Sequence, residues 1–124
     1  MNSVVALPCE SPGGLEARVG FHFGHCEIFT IISLEEGRIK EVKTLPGVPH
    51  EQGGCMAPVM YLAQNGVKTL IAGGMGMRPL MGFNQVGIDV YHVGDASTVE
   101  EAVQALADGR LPQFSQDFTC GGRG

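Results

Sequence analysis

Short apolar runs that alternate with helix-like segments constrain this chain more than any other feature. Ser3-Val4-Val5-Ala6-Leu7, Val67 to Ala72 and Gly87 to Val90 read as buried strands. Between them lie segments with helix punctuation. Cys55 to Gly66 carries Pro58 in a first turn and Asn65-Gly66 as a left-handed stop. A second helix follows Gly73-Gly74-Met75-Gly76, with Pro79 again in its first turn. Thr98 reads as an N-cap ahead of Glu100 and Glu101, opening a third helix that runs to about Asp108 before Gly109 stops it. Strands separated by helices pair in parallel through right-handed crossovers.

Ahead of the first helix, Glu27 to Ser33 and Arg38 to Leu45 are β-rich runs separated by Leu34-Glu35-Glu36-Gly37, which is hairpin spacing. Ile39 and Val42 do not alternate strictly, so the pattern leaves the register of the second run open. The element order β-β-β-α-β-α-β-α predicts an α/β fold, a five-stranded mixed sheet with flanking helices. Its first, fourth and fifth strands are expected to be parallel, and its second and third to form an antiparallel hairpin.

At 124 residues the chain fits one domain. Residues 1–112 are expected to form it. From Gln113 to Gly124 the chain reads as a flexible tail with little to pack. Charged residues are 17% of the chain and the net charge is −5. That balance argues against a general nucleic-acid binder, which needs a basic face. No apolar run approaches the ~20 residues that span a bilayer, and no secretory signal follows Met1. The expectation is a cytoplasmic protein without membrane attachment.

Cys9, Cys26, Cys55 and Cys120 are widely spaced and form no C-x-x-C pair. A disulfide scaffold, a zinc ribbon and a thioredoxin-type motif are therefore not indicated. Unusual residues concentrate in three loops: Phe21-His22-Phe23-Gly24-His25-Cys26, His50-Glu51-Gln52-Gly53-Gly54-Cys55 and Gly73-Gly74-Met75-Gly76-Met77-Arg78. Thiolate and imidazole donors suit soft metals and metal–sulfur clusters. The glycines of the third loop permit close backbone approach, the helix after it offers free N–H groups to an anion, and Arg78 adds a fixed positive charge. The same loop also reads as a plain strand-to-helix turn. Neither a Walker lysine pattern nor a full G-x-G-x-x-G is present. The first and fourth strands and the first helix contain no Asp or Glu, so two-metal hydrolysis has nothing from which to assemble. A Cys55 nucleophile with His50 as base is formally available, but the sequence offers it no clear oxyanion partner.

The combination of His22-Phe23-Gly24-His25, Gly53-Gly54-Cys55, Ala72-Gly73-Gly74-Met75-Gly76 and Gly87-Ile88-Asp89-Val90 with Thr98-Val99-Glu100-Glu101-Ala102-Val103 resembles the dinitrogenase iron–molybdenum cofactor biosynthesis family. That family includes NifX-type carriers, the C-terminal domain of NifB and the orange protein, which carries a molybdenum–copper sulfide cluster. The resemblance runs from Ser3 to about Leu111. It implies a ribonuclease H-like fold with strand order 3-2-1-4-5, and a carrier or assembly role in place of catalysis. The implied cofactor is a metal–sulfur cluster containing molybdenum, with iron or copper. Its expected ligands or donors are Cys55 and His50, with His22 and His25 opposite. Gly53, Gly54, Gly73, Gly74, Met75, Gly76 and Arg78 complete the expected binding set. The expected partners are the metallocluster or its precursor and cluster-assembly or acceptor proteins, with the chain a monomer or weak homodimer. Cys9 and Cys26 match no settled role in the family, and the tail around Cys120 lacks the His/Cys-rich ending of some relatives. The alternative is a regulatory or scaffolding domain that binds a protein and no metal.

Overall fold

A computed structural model describes residues 3–10, 13–19, 28–46, 56–73, 77–94 and 96–114 of the chain. The elements are β1 (Ser3–Cys9), β2 (Ile28–Glu35), β3 (Arg38–Pro46), α1 (Met56–Gln64), β4 (Thr69–Ala72), α2 (Met77–Gln85), β5 (Asp89–His92) and α3 (Val99–Ala107). They build one mixed sheet of five strands in the order β3-β2-β1-β4-β5, flanked by helices. β1 lies parallel to β4, with Val5 beside Thr69 and Ala6 beside Leu70, and β4 lies parallel to β5. β2 is antiparallel to both β1 and β3. Parallel and antiparallel pairings thus fall where the connections predict them, and the topology fits a ribonuclease H-like fold.

Apolar residues cover both faces of the central strands, as sheets sandwiched between helices require. On one face Ala6, Leu70 and Val90 pack with Val59 and Leu62 of α1 and Leu80 and Phe83 of α2. On the other, Val5, Leu7 and Ile71 pack with Val99, Ala102, Val103 and Leu106 of α3. The three described helices end on the same backbone device. Gly66, Gly87 and Gly109 take positive φ, and the following N–H reaches back to the helix: Val67 to Leu62 O, Ile88 to Phe83 O and Arg110 to Ala105 O.

Three sequence expectations need correction. The hairpin turn is tighter than Leu34–Gly37, because Glu36 and Gly37 alone take positive φ (54° and 77°) and Glu35 pairs with Arg38. Gly87 ends α2 instead of opening a strand, so β5 begins at Asp89. The chain from Gln113 was expected to pack little, yet Phe114 is buried in the α1/α2-side core. Its N–H donates to Val90 O at 2.8 Å, and Gln113 bridges Tyr91 at the edge of β5. The open register of β3 is resolved by a bulge. Ser33 pairs with Glu41 and Leu34 with Ile39, leaving Lys40 as the extra residue. The bulge turns Ile39 and Val42, three positions apart, to the same face of the sheet.

Candidate functional site

The parallel strands define one end of the sheet. β1, β4 and β5 finish there at Cys9, Ala72 and His92, with Ala72 beside His92. The antiparallel neighbours bring two further residues to that end, since Cys9 pairs with Ile28 and Ile28 with Pro46. Val19 joins them through a bridge to Cys9. The helices start on the same side. α1 stops near the opposite end, where the Lys68 N–H donates to Val4 O at 2.9 Å, and α2 stops just before β5 opens. Order reverses between β1 and β4: the chain leaves β1 for β2 on one side and β4 for β5 on the other. Open α/β sheets bind ligands in such a crevice, beyond the strands' carboxyl ends.

Three residue pairs at this end bracket the segments that the sequence singles out. They are Val19 and Ile28, Pro46 and Met56, and Gly73 and Met77. His22, His25, His50, Gly53, Gly54, Cys55, Gly74, Met75 and Gly76 lie outside the described residues, as do Cys26 and Cys120. Gly73 directly follows β4 and is half-buried. Arg78 contributes the second residue of α2, and its side chain lies outside the described atoms. Among the described residues no three His, Cys, Asp or Glu side chains gather as a metal site.

Cys9 is a structural thiol. It is buried, its Sγ lies 2.9 Å from Thr30 Oγ1, and burial pushes its pKa up against the smaller opposing effect of the Thr30 hydrogen bonds. The Thr30 hydroxyl also accepts the Gly14 N–H at 3.0 Å. That bond holds down the loop of residues 13–19, whose Gly13 lies too close to β3 for a side chain: a Cβ there would sit 2.9 Å from Thr44 Cγ2. The loop in turn occupies the start of α3. Leu15 O and Ala17 O accept the N–H groups of Glu100 and Val99, each at 2.9 Å. Donors of this first turn are therefore committed within the protein and are not offered to an anion at this end of the sheet.

Sequence reasoning passed over His92, although a histidine ending a parallel strand's apolar run is a readable signal. The Gly94 N–H donates to His92 Nδ1 at 3.0 Å, so the neutral ring carries its proton on Nε2. Its ring packs 5.8 Å from that of Phe114. A concavity of about 650 Å³ lies beside the 13–19 loop, lined by Glu10, Leu15, Arg18 and Val42 among others. A second, of about 820 Å³, runs along α3 past Glu100, Gln104 and Arg110. Neither gathers soft metal donors from the described residues. No described helix is long and apolar enough to cross a membrane.

Comparison with known proteins adds the family context. The family described as dinitrogenase iron–molybdenum cofactor matches residues 3–109. An uncharacterised protein of Methanocaldococcus jannaschii is 30% identical over 112 residues, which covers 89% of this chain and 90% of that one. The apo form of the orange protein from Desulfovibrio gigas superposes with a TM-score of 0.79 at 22% identity, covering 93% of this chain and 95% of that one. That likeness is one of fold. A proposed NifB protein of Thermotoga gives a TM-score of 0.75 at 28% identity, over 91% of this chain and 97% of that one.

Proposed function

The chain belongs to the dinitrogenase iron–molybdenum cofactor family, and on that premise we propose that it is a non-enzymatic, cytoplasmic carrier of a molybdenum-containing metal–sulfur cluster. The cluster, with iron or copper as its second metal, is cargo that the protein receives and hands on to an assembly or acceptor protein. Cys55 and His50 supply soft donors on one side, and His22 and His25 supply them on the other. Gly53, Gly54 and Gly73 to Gly76, Met75 among them, let the backbone come close to the cargo. The N-terminal N–H groups of α1 and α2, with Arg78, offset its negative charge. The net charge of −5 does not oppose this. Exposed charges are screened beyond about 8–10 Å, whereas donors in contact with the cargo are not.

The observation that supports the reading is the convergence of the bracketing residues. Val19, Ile28, Pro46, Met56, Gly73 and Met77 all lie at the carboxyl end of β1 and β4, where the strand order reverses. A family whose name is that of a metallocluster, and a fold whose described residues flanking the Cys/His-bearing and glycine-bearing segments lie at one end, support the reading.

The test uses two glycine variants, with tetrathiomolybdate and an iron–molybdenum–sulfur donor titrated anaerobically and circular dichroism confirming folding. Gly74→Val is expected to abolish uptake in a chain that still folds. Gly109→Ala, altered only at the α3 stop, is expected to bind as the unaltered chain does. Normal uptake by folded Gly74→Val would remove the glycine cradle from the reading. No uptake of either donor by the unaltered chain would overturn the carrier role itself.

A further inference from the structure

The sheet has two edges, and among the described residues the chain closes one of them. Along β5, Gln113 bridges Tyr91, and the His92 N–H donates to Pro112 O at 2.9 Å. The outer side of β3 has no described strand beside it. Eight of its nine residues are exposed, Leu45 being the half-buried exception. An open strand edge is a template for another strand.

The residues of β3 decide which strand fits. Glu41 and Lys43 flank Val42 and share a face of the sheet. Neither makes an ion pair with a described residue, whereas Lys40 is already held by Glu35 at 2.8 Å. When a strand pairs antiparallel with its own copy, same-face residues must stand opposite each other, which leaves a few central registers. Centring on Glu41 sets that carboxylate against itself, and centring on Lys43 does the same with an ammonium. Like charges directly opposite are destabilising. Centring on Val42 sets Glu41 against Lys43 of the second copy, twice over by symmetry, and packs Val42, itself 38% exposed, against its own copy.

We propose that β3 pairs antiparallel with β3 of a second copy about a two-fold axis at Val42, joining two sheets edge to edge. Such an interface is isologous and closes at the dimer. The bulge at Lys40 restricts the ladder to a few residues around Val42, so the dimer is weak and reversible. Antiparallel pairing points the carboxyl ends of β1 and β4 in opposite directions in the two copies. The candidate cargo sites stay apart, and cargo uptake does not depend on association.

Sedimentation equilibrium of the full chain, from micromolar to millimolar concentration, tests the proposal. The expected result is a reversible monomer–dimer equilibrium. Lys43→Glu places carboxylates opposite each other twice and is expected to weaken dimerisation at least about tenfold. Adding Glu41→Lys to Lys43→Glu restores both ion pairs with their signs reversed, and is expected to bring association back to within a few-fold of the original. Both positions are exposed, and circular dichroism confirms that the variants fold. A chain that stays monomeric throughout, or a double reversal that fails to restore association, would overturn the proposal and leave the carrier reading untouched.

Discussion

Thr30 shows how much one buried hydroxyl can hold in place. It is fully buried in β2, where a bare hydroxyl without partners would be costly. Instead its Oγ1 meets Cys9 Sγ at 2.9 Å and accepts the Gly14 N–H at 3.0 Å. The first contact ties β2 to the end of β1, and the second fastens the loop that covers the start of α3. Cys9 gains nothing reactive from this. Desolvation raises its pKa, so near neutral pH it stays a thiol and behaves as a small hydrophobe. Thr30→Val keeps the shape and removes the acceptor, leaving the Gly14 N–H without a partner. The expected loss is about 1–3 kcal/mol of unfolding free energy in urea. A loss within error of zero would mean that water takes the hydroxyl's place and the loop needs no such anchor.

The helix ends were the most legible elements, because their chemistry is local. Asn65-Gly66, Asp108-Gly109 and Thr98 with its acidic first turn are read from a few adjacent residues, and each sits where those residues predict. Gly87 was legible as a glycine yet was read as part of a strand, since the apolar residues after it dominate the pattern. The α3 cap goes beyond the expected N-cap. Thr98 Oγ1 accepts the Glu101 N–H at 3.3 Å, and Glu101 Oε1 reaches back to the Ser97 N–H at 3.0 Å and its hydroxyl at 3.3 Å. Donation to the carboxylate from the Ser97 N–H, then the Thr98 N–H and the Ser97 hydroxyl, favours its charged form and holds the Glu101 pKa below its ordinary value. A pKa lower in the folded than in the unfolded chain gives stability that is present above about 4.3, the unfolded value, and lost as pH falls through the folded one. Wild type and Glu101→Gln are therefore expected to differ most in Tm above about pH 5, and the gap should narrow as the solution is acidified toward about pH 3. Calorimetry across that range decides it. A gap independent of pH would mean the carboxylate's charge contributes nothing to the cap.

At the scale of the whole molecule, the parallel set β1, β4 and β5 was legible because buried parallel strands are short apolar runs and their crossovers have one hand. The switch point follows from that order, and so does the end of the sheet at which the described residues flanking the Cys/His-bearing segments lie. Which donor reaches a ligand depends on how side chains approach each other across loops, and strand order does not encode that. The β3 register was illegible because a bulge breaks the two-residue period, and the bulge leaves no mark of its own in the sequence. Phe114 was illegible for a different reason: a lone aromatic in a polar stretch carries no period, so nothing marks it as core. Its burial closes the β5 edge of the sheet. The ring joins Val90, Leu80 and Phe83 in the α1/α2-side core and lies against His92, while its backbone pairs with Val90. Phe114→Ala should thus cost about 3–5 kcal/mol, as for other buried phenylalanines, a large share of a domain's usual 5–15. The loss should also be local in a way that hydrogen exchange can read. With the ring gone, the segment from Pro112 loses its anchor, and the His92 amide that donates to Pro112 O should exchange faster relative to the global unfolding rate. The Leu70 amide, in the middle of β4, should follow global stability alone. Equal acceleration at His92 and Leu70 would show that Phe114 supports the core without fastening the edge.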